Sequence, residues 1–151
     1  MTSHTTESEL LVKRTGISAA NNGNPIVPEN PCNRAGNAPD PSVYQAKGQT
    51  AQNNSGADLY YLFQFRAGGG LDAQPQVSSP AYANYAYGVY MSAAGYTLNQ
   101  ALSGADIYAQ YRASYRPGTV MDPNHPFTPM ANVMNITYGF SAQQTGTLCH
   151  K

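Results

Sequence analysis

The chain has 151 residues, the size of one ordinary domain, and can bury a hydrophobic core without help from disulfides or metals. Eight basic and eight acidic side chains give a formal net charge of zero, and charged residues make up only 11% of the chain, well below the usual share. Affinity for nucleic acid comes from clustered cations, and only Arg112 and Arg116 are spaced to share a helical face, so the composition argues against nucleic-acid binding and favours an uncharged or mixed-charge substrate.

Residues 1–56 are predicted to form a long irregular N-terminal arm. Residues 16–41 are dense in Asn, Gly and Pro, which make turns and break helices. Within the arm, a short helix is predicted from Ser42 to Gln52. The first residues lack a basic segment followed by an apolar run, so no Sec signal is predicted, and no stretch is apolar enough to span a membrane.

Residues 57–151 are predicted to form a helical domain that packs with the arm into one compact unit. Its most apolar stretch, Ala57–Arg66, fits either a buried strand or a short helix, because its length and periodicity do not separate the two. The glycines at 68–70 end this element. They lack the Lys-Ser/Thr of a phosphate-binding loop, which favours a hinge.

Two helices are predicted between residues 81 and 117. In the first, apolar side chains recur at three- and four-residue spacing from Tyr82 to Ala93, and Gly95 ends the pattern. Thr97 is the predicted N-cap of the second helix, which stops before Pro117.

The last predicted helix begins at Met130 and ends near Gly139. The segment before it, Met121–Pro129, contains three prolines and is predicted to be a loop. Helices joined by short loops pack as bundles, so the predicted fold is mainly α: a small helical bundle with a long irregular N-terminal arm.

Several short motifs occur in a fixed order between residues 81 and 141. They are Asn84, Tyr85 and Gly88; Gly95; Ala105 and Gln110; Asp122-Pro123; and Asn135–Gly139. This ordered set resembles the type 44 domain of bacterial polymorphic toxins, with its Asn-Tyr-Gly-like motif, Ala-Gly turn, following helix, Asp-Pro loop and last helix. His125 departs from the pattern, since an acidic residue is expected there.

The resemblance implies an antibacterial effector, exported by a contact-dependent route such as type VI secretion. It implies a cognate immunity protein and a secretion-system carrier or chaperone as partners. Such domains have been considered nuclease-like by inference, which the neutral charge of this chain does not favour.

Carboxylates and one histidine are the candidate catalytic groups. Asp122 and His125 lie three residues apart, a spacing that suits an acid–base pair or two metal ligands, although Asp-Pro-Asn is also ordinary turn sequence. Asp106, beside the apolar face of the second predicted helix, is a candidate general acid or a solvated helix residue. Glu29 is the outside candidate, or simply a loop charge.

Amide and hydroxyl side chains are the candidate substrate-binding groups: Asn84, Tyr85 and Gln110. No metal or other cofactor is predicted, because three histidines, two of them near the ends, make a zinc site improbable. Cys32 and Cys149 are either free thiols or a disulfide formed in an oxidising compartment such as the periplasm.

Together these patterns predict a secreted hydrolase that acts on peptidoglycan, its glycan or its peptide, in the periplasm of a target cell. One alternative is an RNase toxin of the target cytoplasm, since a small RNase can work with one His and one carboxylate. The other is a non-enzymatic interaction or structural protein.

Overall fold

Helices dominate the fold, as the sequence predicts. The computed structural model describes residues 20–21, 24–25, 38–54, 56, 65, 80–112, 115 and 117–149. The helices in this part of the chain are α1 (Pro41–Gln52), α2 (Pro80–Ala93), α3 (Leu98–Arg112) and α4 (Met130–Thr145). Two small antiparallel pairs accompany them, β1 (Ala20–Asn21) with β2 (Asn24–Pro25) and β3 (Met121–Asp122) with β4 (His125–Pro129).

Helix α1 confirms the short helix predicted within the arm. Asp40 caps its first turn by accepting a hydrogen bond from the Ser42 amide at 3.1 Å, and Pro41 begins the helix, where a missing N–H costs nothing. Gly48 faces α2 so closely that a Cβ there would lie 2.6 Å from the Tyr90 carbonyl oxygen. A glycine therefore sets the distance between α1 and α2.

Helix α2 is the centre of the packing, with α1 on one side and α4 on the other. The apolar positions that predict this helix are all buried, and the rest of the core comes mainly from α1 and α4. Phe65 adds a ring that packs against Tyr44, Tyr87 and Tyr90, with centroid distances of 5.9, 5.7 and 5.1 Å.

Helix α3 starts where its cap predicts. The Thr97 hydroxyl accepts a hydrogen bond from the Gln100 amide at 3.1 Å, and the Gln100 side chain accepts one from the Thr97 amide at 2.9 Å. This reciprocal pair satisfies amides that would otherwise lack partners at the helix start. The pair fixes the first turn of a helix that contributes several residues to the candidate site.

Helix α4 is longer than the sequence predicts. It continues to Thr145 and ends at Gly146, whose φ of 70° is the left-handed conformation that closes many helices. Gly139, the predicted end, lies inside the helix against α2, where a Cβ would be 2.0 Å from the Tyr85 carbonyl oxygen. This glycine serves close packing, and reading it as a helix end was wrong.

Residues 121–129 form a hairpin, so the predicted loop is also wrong. The strands pair antiparallel around Pro123 and Asn124, with Asp122 opposite His125 and Met121 opposite Pro129. Prolines are tolerated here because a two-stranded ribbon has edge positions at which an N–H is not needed for pairing. The hairpin packs mainly on α3.

Several predicted features lie outside the described residues. They are Ala57–Arg66 apart from Phe65, the glycines at 68–70, and most of the N-terminal arm. Within the part that is described, no helix has both the length and the apolar character needed to cross a membrane.

Candidate active site

The hairpin brings Asp122 and His125 into direct contact. Residues that face each other across an antiparallel pair project their side chains to the same side, and these two are such partners. His125 Nδ1 lies 2.6 Å from Asp122 Oδ2. The Asn124 amide nitrogen lies 3.4 Å from Asp122 Oδ1, which further orients the carboxylate.

Burial differs between the two members of this pair. The Asp122 side chain is 2% exposed, whereas that of His125 is 12% exposed. A buried carboxylate that engages Nδ1 fixes the orientation of the imidazole and leaves Nε2 for a ligand. This is the arrangement that makes a histidine an effective general base.

Asp106 reaches the same hairpin from α3. Its Oδ1 accepts hydrogen bonds from the Phe127 amide at 2.9 Å and from Thr128 Oγ1 at 2.8 Å. One oxygen thus connects helix α3 to strand β4 at the two residues that lie two and three positions beyond His125. Asp106 therefore fixes where the hairpin sits on the helix.

These three ionisable side chains line one cavity of about 710 Å³ between α3, the hairpin and the start of α4. Its walls are Leu98, Asn99, Leu102, Ser103, Asp106, Ile107, Asp122, Asn124, His125 and Val133. This volume falls in the range of small-ligand sites, and the lining combines four apolar residues with six polar ones that could bond a ligand. No Lys or Arg is among these lining residues.

Three of the polar lining residues were missed by the sequence analysis: Asn99, Ser103 and Asn124. A signal for two of them was present, because Asn99, Ser103 and Asp106 follow at four- and three-residue spacing along α3. That spacing places them on one helical face. Asn124 is one of the two turn residues between the paired strands.

The predicted substrate-binding residues lie elsewhere. Tyr85 is fully buried in the helical core, and its hydroxyl accepts a hydrogen bond from the Cys149 amide at 3.1 Å. Asn84 is partly buried on α2, and Gln110 is exposed on α3. None of the three lines the cavity, and Glu29 lies outside the described residues.

Cys149 is disulfide-bonded, and the only other cysteine of the chain, Cys32, lies outside the described residues. Of the two alternatives left open by the sequence, the disulfide and not the free thiol holds for Cys149, so its sulfur is not a free nucleophile. Across the described residues, no three His, Cys, Asp or Glu side chains are grouped as a metal ion would require.

Comparison of the chain with protein families, with curated proteins and with solved structures found no match.

Proposed function

We propose that the chain is an antibacterial effector hydrolase that cleaves peptidoglycan. The observation that carries the proposal is the contact between His125 and the buried Asp122, with the imidazole at the wall of a ligand-sized cavity. The resemblance to polymorphic toxins is the separate reason for the effector role.

The chemistry needs one base and one water molecule. His125 Nε2 takes a proton from water, and the water oxygen attacks the electrophilic carbon of the substrate. The imidazolium, stabilised by Asp122, then returns that proton to the leaving oxygen or nitrogen. Water is added across the broken bond, and the histidine ends in its starting state.

Two observations favour a cell-wall substrate over RNA. The lining residues that the structure describes include two carboxylates, Asp106 and Asp122, which would repel a phosphate backbone, and no Lys or Arg. Cys149 is disulfide-bonded, and disulfides persist in oxidising compartments such as the periplasm.

Compartment-specific expression tests the proposal. The chain is produced in a susceptible bacterium with and without a periplasmic signal, as the native form and as His125→Ala and Asp122→Asn variants. Asp40→Asn is the matched control, because it also removes one carboxylate, but at the start of α1 away from the cavity.

We expect lysis only with the signal, and soluble muropeptides from purified sacculi. His125→Ala should lower the rate of release by about 100-fold or more, the usual contribution of a general base. Growth arrest only without the signal, with cleaved RNA and intact sacculi, would replace the proposal by the RNase alternative. A chain harmless in both compartments and inert on both substrates would indicate the non-enzymatic protein.

A further inference from the structure

Exposed apolar side chains lie on the helix and the strand that form the cavity. Ile107 is 60% exposed, Tyr111 75% and Phe127 43%. Single exposed apolar residues are ordinary, but several large ones grouped beside a cavity mark binding surfaces. These three residues are called the apolar rim below.

The rim is continuous with the cavity. Ile107 is itself a lining residue, and Tyr111 lies one helical turn further along the same face of α3. Phe127 lies on β4, where the pairing with β3 shifts register, and its backbone rather than a strand alternation places it beside the cavity. Its amide is hydrogen-bonded to Asp106, the neighbour of Ile107 in the chain.

We propose that the apolar rim binds the glycan strand of peptidoglycan, stacking sugar rings against Tyr111 and Phe127 while the adjoining part of the strand enters the cavity. This inference rests on the proposed hydrolase function. It names the glycan, and not the stem peptide, as the part of the wall that the protein holds.

The chemistry of the rim suits a sugar polymer. The apolar C–H face of a sugar ring packs well against the face of an aromatic ring, while its hydroxyls remain free to bond elsewhere. The cavity offers such partners in the side chains of Asn99, Ser103 and Asn124. A stem peptide carries ionised groups, for which the apolar rim offers no partner.

The extent of the surface suits an oligomer. Helix α3 advances about 12 Å from Ser103, in the cavity, to Tyr111 at the outer end of the rim. That distance exceeds the width of one sugar ring, so a ligand that contacts both ends spans more than one unit. A single-stranded RNA would also stack on tyrosine, but its phosphates would approach Asp106 and Asp122.

Binding is tested separately from cleavage, in full-length His125→Ala protein, so that no ligand is consumed. Three probes are compared by calorimetry: peptide-free glycan strands, free stem peptides and a single-stranded RNA. Tyr111→Ala is the test variant and Tyr111→Phe its matched control, which keeps the ring. Val43→Ala, on the exposed face of α1, controls for loss of an apolar surface residue elsewhere.

We expect the glycan strands to bind most tightly and Tyr111→Ala to weaken that binding about fivefold or more, as loss of one aromatic stacking contact implies. The glycan affinities of Tyr111→Phe and Val43→Ala should remain within about twofold of that of the parent protein, because both variants keep the aromatic ring at position 111. Unchanged glycan binding by Tyr111→Ala, or tighter binding of stem peptide or RNA, would overturn the inference. Rim-dependent glycan binding by a native chain that hydrolyses no wall would support the inference and overturn the proposed hydrolase alone.

Discussion

Thr128 donates a hydrogen bond of 2.8 Å to the Asp106 carboxylate, and this contact joins strand β4 to helix α3. The same carboxylate oxygen also holds the Phe127 amide at 2.9 Å. His125 lies on this strand, and the polar face of α3 forms another wall of the cavity. Asp106 therefore helps to set the position of the imidazole relative to that wall.

Replacing Asp106 separates its positioning role from acid chemistry. Asp106→Ala should lower the free energy of unfolding by about 1–3 kcal/mol, because the buried Thr128 hydroxyl and the exposed Phe127 amide both lose a charged acceptor. Asp106→Asn keeps an oxygen acceptor and should lower the free energy of unfolding by clearly less than Asp106→Ala does. Urea unfolding of both variants, with muropeptide release measured alongside, gives the comparison.

If Asp106 only positions the hairpin, Asp106→Asn should retain most of the activity while Asp106→Ala loses it. Loss of activity in Asp106→Asn at near-native stability would contradict this and assign the carboxylate a direct part in proton transfer.

The contact between α2 and α4 leaves no room for a methyl group. A Cβ on Gly88 would lie 2.1 Å from the Ile136 carbonyl oxygen, and one on Gly139 would lie 2.0 Å from that of Tyr85. Because both obstacles are backbone atoms, the helices must separate, so Gly88→Ala and Gly139→Ala should each cost about 3 kcal/mol or more.

Gly146→Ala is the comparison for the tight glycines. Nothing lies within 4 Å of a Cβ there, so only the strain of its positive φ of 70° remains, worth about 1 kcal/mol. Thermal and urea unfolding of the three variants measures the order. Equal costs at all three positions would show that packing distance is not what these helices require.

The buried hydroxyl of Tyr87 makes the stability of the fold depend on pH in the alkaline range. Burial, and secondarily the nearby Tyr96, raises the pKa of its hydroxyl well above the usual value. The hydroxyl donates a 2.9 Å hydrogen bond to the Ala101 carbonyl oxygen. A raised folded-state pKa adds stability that is fully present below the unfolded-state pKa of about 10 and is lost as pH rises toward the folded value.

Tyr87→Phe should therefore cost about 1 kcal/mol near neutral pH through the lost hydrogen bond. Above pH 10 its stability should fall less steeply than that of the native chain, by up to about 1.4 kcal/mol per pH unit. Urea unfolding between pH 8 and pH 11.5 measures both slopes. Parallel slopes would contradict the link between this hydroxyl and alkaline unfolding.

The sequence was most informative where local chemistry decides the structure. The Thr97 cap and the spacing of apolar residues in α2 depend on neighbours in the chain, and both predictions were confirmed. The hairpin was missed because prolines usually break strands, whereas a two-stranded ribbon tolerates them at edge positions where no N–H is needed for pairing. The extent of α4 was misjudged because Gly139 meets α2, a contact between distant parts of the chain.

The candidate site was predictable only in part. Asp122 and His125 are close in sequence, so a single turn of the chain is enough to bring their side chains into contact, and the pair could be predicted. Ser103 and Asn99 line the cavity only because α3 packs against the hairpin. The spacing of residues along a helix does not predict which other element that helix will face. The motif around Tyr85 predicted a role in substrate binding. In the structure its side chain is fully buried among the helices, so it is not accessible to a substrate.

The close approach of α2 and α4 has a consequence for how this protein can diversify. The framework depends on glycines that admit no larger side chain, while most of the cavity lies on α3 and the hairpin, outside that contact. Substitutions that reshape the cavity can therefore accumulate on one half of the molecule without refolding the other. Distant homologues would be recognised by paired small residues at positions 88 and 139, and could still differ in the residues that line the cavity.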